Sequence, residues 1–129
     1  MPIPASWSGP LLSVLRIAAA LTFLHHGTSK FFGLPPFPMP LSPLLYAAGA
    51  IELVGGALML IGLFTRPAAF IASGMSAVGY FMFHAPNGFY PSVNHGEAIL
   101  LYAFIFLYIA AAGAGPWSVD AARSKPAAV

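Results

Sequence analysis

Residues 42–67 read SPLLYAAGAIELVGGALMLIGLFTRP, and the threading of this stretch decides the fold. After Ser42 and Pro43 comes a long apolar run with one acid, Glu52, closed by Thr65, Arg66 and Pro67. Ser42 suits an N-cap, because its hydroxyl can accept from a free N–H of the first turn. Pro43 suits the first helical position, where its missing N–H has no helical partner. The run approaches the ~20 residues that cross a bilayer, so it reads as a membrane-spanning helix over residues 43–63. Thr65, Arg66 and Pro67 stop the chain and restart it, which makes a tight hairpin with the helix that follows.

Composition extends this reading to the rest of the chain. Its 129 residues are 59% hydrophobic and 6% charged, with a mean hydropathy of +0.83, against roughly 25% charged residues in soluble proteins. The length fits one domain over residues 1–129. Four apolar runs predict an all-α, four-helix transmembrane bundle, with helices at about 11–32, 43–63, 67–83 and 95–113. Gly9 and Pro10 open the first helix; GLPPFPMPLSP, residues 33–43, is too rich in proline to be helical and forms a stiff connector. HAPNGFYPSV, residues 84–93, breaks the third helix, and GAGP, residues 113–116, ends the fourth beside an interfacial Trp117.

The chain has no cysteine, so disulfides and thiolate metal sites are excluded and any electrons must come from a cofactor or a partner. Its five basic residues are scattered, which argues against nucleic acid. No basic residue precedes the first apolar run, so no cleaved secretory signal is expected. Four spans place both termini on one side. Arg66, Arg123 and Lys125 lie on that side and Arg16 is expected to snorkel towards it, against Lys30 on the other. The positive-inside rule then puts both termini in the cytoplasm of a bacterium whose inner (plasma) membrane holds the chain.

This threading gathers His25, His26, Lys30, Glu52, His84, His95 and Glu97 on the outer side. Glu52 is nine residues after Pro43, roughly 13 Å down its helix at 1.5 Å per residue. A bare charge at that depth costs on the order of 3 kcal/mol or more, so Glu52 is expected to be protonated or paired and to face the bundle. Gly49, Glu52, Gly56 and Met59 share one face, with Gly55 beside them, where small residues admit a neighbouring helix.

Plainer roles compete for the other groups. Asn94 and Glu97 have capping-box spacing and can also carry chemistry. Lys30 can snorkel at the outer boundary, and His84 can satisfy the last carbonyls of the third helix. Adjacent histidines point about 100° apart on a helix, so only one of His25 and His26 can face an interior site. The aromatics read as lipid-facing or packing surface, with Tyr46, Tyr80, Tyr102 and Tyr108 as secondary hydrogen-bonding candidates.

Three segments carry a further pattern: LRIAAALTFLHHGTSKFFG (15–33), AGAIELVGGALMLIGLFTRPAA (48–69) and NHGEAILLYAFIFLYIAAAGAGPWSVD (94–120). In this order they resemble the DoxX family of small four-helix membrane proteins. The marks are His26, Gly27 and Lys30; Glu52, Gly55 and Gly56; the GLFTR turn; Gly96 and Glu97; and GPWSVD. The resemblance implies the four-helix fold and favours His26 over His25 as the inward residue. The wider group includes membrane subunits linked to thiosulfate:quinone oxidoreductase, members tied to thiol and oxidative-stress homeostasis, and relatives in protein assembly or trafficking.

Two functions follow as expectations, with a third beside them. In the first, the chain is a subunit of a redox-associated, quinone- or sulfur-linked system that binds a lipophilic ligand such as a quinone. Glu52 and His26 transfer protons, and His26, Lys30, Glu52, His84, His95 and Glu97 line the ligand site. In the second, the same groups are a polar packing network in a structural or assembly subunit, or in a homo-oligomer. In the third, His26, His84, His95, Glu52 and Glu97 hold a metal contributed by several helices, since no two histidines have i, i+4 spacing. The partners expected are the lipid bilayer and a redox or assembly protein.

Overall fold

The computed structural model describes residues 2–124, and Lys125 lies outside the described residues. Among those residues every regular element is helical: α1 (Ser8–Phe32), α2 (Pro43–Ile61), α3 (Thr65–Gly79), α4 (Pro91–Asn94), α5 (Glu97–Ala112) and α6 (Val119–Ser124). α1 packs along α2 and α3 along α5; α2 and α3 join the two pairs, and α1 meets α5 over a short stretch. The core is built of Ala19, Ala20, Phe23, Met59, Ala68, Ala69, Ala72, Phe106 and Ile109, with larger, partly buried side chains such as Leu12, Ile51 and Ile105 packed against it.

Helix ends explain where the chain turns. Ser42 Oγ accepts from the Leu45 N–H at 3.2 Å, and Pro43 holds the first position, as expected. α1 starts at Ser8 rather than residue 11, since Pro10 is tolerated in a first turn whose N–H groups have no helical partners. α2 stops at Ile61 because Gly62 takes the left-handed conformation, φ 71°, and Leu63 N–H closes back on Leu58 O at 2.9 Å. Phe64 is also left-handed, which turns the chain directly into α3.

Among the described residues, three elements are long and apolar enough to cross a membrane: Ala5–Phe32, Pro43–Ile61 and Thr65–Asn87. α3 reaches that length because its last turn widens into a π-type turn, Tyr80–His84, followed by a 3-10 turn, Ala85–Asn87. α5 is shorter than expected. Its 16 residues rise about 24 Å, against a hydrocarbon core of about 30 Å.

The capping box expected at Asn94 and Glu97 does not form. Asn94 ends α4, and its Oδ1 accepts from the Gly96 N–H at 2.8 Å, two residues on, while α5 starts at Glu97 without a side-chain cap. The break comes at His95, whose left-handed backbone, φ 60°, separates Asn94 from the helix it was expected to start.

Interhelical contacts use small residues, as membrane bundles do when apolar burial gives no preference for protein over lipid. Ser73 Oγ donates to Ala103 O at 2.6 Å across α3 and α5. Between α1 and α2, a Cβ on Gly27 would meet Leu53 N at 2.7 Å and Gly49 O at 3.0 Å. These glycines set the separation on which the polar site depends.

Candidate functional site

On α1 the residues Arg16, Ala20, Phe23, Gly27 and Lys30 recur at spacings of four and three, and all but Lys30 are buried. On α2 the expected seam is present, with Gly49, Glu52, Gly55, Gly56 and Met59 buried. The stripes meet at the bundle end away from the termini. There Lys30 Nζ donates to Glu52 Oε1 at 2.6 Å, with side chains 8% and 4% exposed.

Local sequence makes this pair reachable. Gly49, one turn before Glu52, leaves room for the Lys30 stem: a Cβ there would come within 3.1 Å of both Lys30 Cβ and Cδ. The proline-rich connector then lays Phe37 by the ammonium, 5.1 Å from Nζ to the ring centroid. An aromatic face attracts a cation at this range. Lys30 is therefore the counter-charge that Glu52 needs, and its ammonium is not extended into water.

His26 does not point inward with Lys30. Gly27 takes the inward position, and His26, about 100° away, is exposed, as is His25. Their rings lie 4.4 Å apart, and His26 meets Tyr102 of α5 edge-on at 6.3 Å. Tyr102 in turn stacks on Phe106, so an aromatic ladder leads from the core to the exposed histidines.

The remaining candidates stand apart from the ion pair. His84 Nδ1 bonds Asn94 O at 3.0 Å; a carbonyl only accepts, so this nitrogen carries the proton. His95 and Glu97 are exposed at the start of α5. Among the described residues no three histidines or carboxylates form a metal-ligand group. The set His26, His84, His95, Glu52 and Glu97 is thus not gathered, because Glu52 is held by Lys30, His84 by the backbone, and the others face outward.

Three polar residues have structural roles other than those read from the sequence. Asn94, 1% exposed, donates to Tyr80 OH at 3.1 Å and to Gly88 O at 2.9 Å. At the termini end, Ser13 Oγ donates to Ala114 O and accepts from Trp117 N–H, both at 3.1 Å. Asp120 caps α3 from a distance, accepting from the Phe64 and Thr65 N–H groups at 2.9 Å each. Arg16 corrects an expectation: it is 1% exposed and donates to Ala114 O and, at 2.9 Å, to Trp117 O. It binds the chain past α5 and does not snorkel. The only signals for these residues were a buried-face spacing for Ser13 and Arg16 and the polar letters themselves.

Two cavities among the described residues are lined by neither Glu52 nor a histidine. One, about 450 Å³, lies at the termini end around Arg66, Gly113 and Asp120. The other, about 280 Å³, is an apolar groove between α2 and α3 beside Gly55.

Comparison with known proteins places this geometry in context. The DoxX family profile matches residues 11–85. An uncharacterised protein of Haemophilus influenzae is 43% identical over 120 residues, covering 84% of this chain and 87% of its own length. A second uncharacterised protein of the same organism is 28% identical over 130 residues, covering 92% and 86%. No solved structure matches the chain.

Proposed function

The chain belongs to the DoxX family of membrane proteins, and on that premise we propose that it is an integral subunit of a redox-associated, quinone- or sulfur-linked system. It spans the bacterial inner (plasma) membrane as a single domain with both termini cytoplasmic, and binds a lipophilic ligand at its outer-leaflet end. The observation that carries this reading is the buried Lys30–Glu52 pair. Packing alone does not call for it, since well-packed apolar residues commonly replace buried ion pairs at no loss. Ionisable groups within membrane spans mark functional sites by default.

Within this reading each residue has one task. Glu52 accepts a proton from the ligand, and Lys30, donating to its carboxyl at 2.6 Å, is the partner that holds the side chain in place. His26, four residues before Lys30 on α1 and exposed beside Tyr102, exchanges protons with the surface and hydrogen-bonds the ligand's polar head. His95 and Glu97 border the same end, and His84 orders its backbone. Electrons come from a redox partner protein, because the chain has no thiol of its own.

The test uses Lys30→Gln together with Glu52→Gln, which keeps a neutral hydrogen-bonding pair and leaves no bare charge. Titration of reconstituted protein with a short-chain quinone should show saturable binding that the double variant loses and His26→Ala weakens, with thermal stability retained. Equal binding by native and doubly substituted protein refutes the redox reading.

A second reading rests on how completely the two charges answer each other on the glycine-lined α1–α2 seam. In it the chain is a structural or assembly subunit, and the pair fixes the packing of the bundle or of an oligomer. Glu52→Gln alone then lowers stability and releases a co-purifying partner, and no small-molecule binding exists to be lost.

A further inference from the structure

The segment between α3 and α5, residues 85–96, would stand in water if it were an ordinary loop. Its chemistry is poorly suited to that. No Asp, Glu, Lys or Arg occurs between Arg66 and Glu97, and its large side chains turn outward: Phe89 is 87% exposed, with Tyr90 and Val93 also exposed. Just before it, Phe81, Met82 and Phe83 are exposed too, continuing the same apolar surface from the α3 span.

Much of the segment's backbone is paired within the protein. Gly88 N–H donates to Ala85 O, the Val93 and Asn94 N–H groups to Tyr90 O, and Gly96 N–H to Pro91 O. Two carbonyls that these turns leave over are taken by side chains: Asn94 Nδ2 donates to Gly88 O and His84 Nδ1 to Asn94 O. Pro86 and Pro91 bring no N–H to satisfy. Irregular, lipid-exposed backbone is not tolerated in the hydrocarbon core, so a segment paired in this way belongs at the interface, where headgroups and water remain within reach.

Length supplies the third argument. α5 alone falls about 6 Å short of the hydrocarbon thickness, so part of its crossing must be completed by the segments at its ends. α4 and the turn at His95 directly precede it.

We propose that residues 85–96 form a lipid-seated cap, embedded at the boundary between headgroups and acyl chains, whose partner is the bilayer. Phe89, Tyr90 and Val93 contact acyl chains, and Asn94 is the hub that lets the backbone leave water. This proposal does not depend on the role of the Lys30–Glu52 pair.

The experiment exploits the tryptophans, which are Trp7 and Trp117 only, both at the termini end. Both are changed to phenylalanine, and Phe89→Trp supplies a single reporter at a position where the side chain is almost wholly exposed. In phosphatidylcholine and phosphatidylglycerol vesicles its emission should be blue-shifted. Lipids brominated near the head of the acyl chain should quench it strongly, and iodide several-fold less than free tryptophan. Iodide quenching like that of free tryptophan, with no effect of bromolipid, overturns the proposal and leaves the loop in water. Protection from both quenchers also overturns it, in favour of a second copy or a partner protein on this surface. If that chain does not fold, Ser92→Cys in the otherwise native, cysteine-free protein gives the same choice. Slow reaction with a membrane-impermeant maleimide supports the cap only when a polarity-sensitive dye placed there is quenched by bromolipid, and fast reaction refutes it.

Discussion

The two ends of the bundle hold their buried charges in opposite ways. Away from the termini, Lys30 and Glu52 answer each other, side chain to side chain, across α1 and α2. At the termini end, Arg16 gives its hydrogen bonds to the carbonyls of Ala114 and Trp117, and Asp120 takes its own from the N–H groups of Phe64 and Thr65. The first arrangement can be neutralised as a unit without exposing any backbone group. The second cannot, because the main chain at the ends of α3 and α5 would lose its partners. Charge at the termini end therefore holds the main chain, whereas at the other end the two charges hold only each other.

The strongest way to break this contrast is to substitute one partner at a time. Glu52→Leu leaves the Lys30 ammonium buried and unanswered, and should cost about 3–5 kcal/mol. Lys30→Met should cost less, since a lone carboxyl can take up a proton and become neutral. Lys30→Met with Glu52→Leu should recover most of the loss in unfolding titrations in lipid–detergent micelles. A double variant as unstable as Glu52→Leu would show that the pair is tied to groups beyond itself.

Next in size is Arg16→Met, which removes two charge-assisted hydrogen bonds to carbonyls, for an expected loss of about 2–3 kcal/mol. Adding Asp120→Asn should bring no recovery, because the carbonyls of Ala114 and Trp117 stay unanswered. Faster proteolysis after residue 113 in the Arg16 variant is the second readout. Recovery in the double variant would make the termini end a disguised ion pair and erase the contrast.

Two glycines sharpen it further. Gly27→Ala forces a methyl against the backbone of Leu53 and Gly49, so α1 and α2 must part and Lys30 must lose its short contact with Glu52. A cost of about 1–3 kcal/mol is expected. Gly55→Ala meets nothing within 4 Å and should be neutral or stabilising by up to about 1 kcal/mol through helix propensity. The pair is measured in one background, and equal losses would mean that the α1–α2 seam does not position the site.

How much of this was legible follows from the range of each interaction. The α2 start and its buried face were readable, because the cap at Ser42 and the seam from Gly49 to Met59 are set by neighbours within one or two turns. That Glu52 would be protonated or paired was readable from its depth. That the partner is Lys30 was not, since the contact spans 22 residues and depends on the slot at Gly49. His26 looked inward on motif grounds, yet the one-residue phase that puts Gly27 against α2 turns it out. Arg16 looked like a boundary residue because its position near one end is local, whereas the demand for its donors is set 98 residues away by a short α5. The capping box failed for a backbone reason, the left-handed turn at His95.

Asp120 gives a small effect and the most specific one. It lies in α6, beyond the spans, where its carboxylate caps α3 from 55 residues away. Burial works to raise its pKa, but hydrogen bonds from Thr65 and Phe64 and the charge of Arg123 outweigh it and hold the group below its ordinary value of 3.8. The folded state therefore binds this proton less readily than the unfolded chain does. The cap's contribution is complete above the ordinary value and fades as pH falls through the lower, folded one. Asp120→Ala should cost about 1 kcal/mol at neutral pH, the usual worth of an N-cap. Every other group is common to both chains, so the quantity to follow is the native-minus-variant difference in melting temperature. It should be constant from neutral pH down to about pH 5 and then shrink towards zero in more acid solution. A difference that persists unchanged in acid would mean that the side chain holds α3 by packing, and the end with the termini would then owe its order to contacts other than charge.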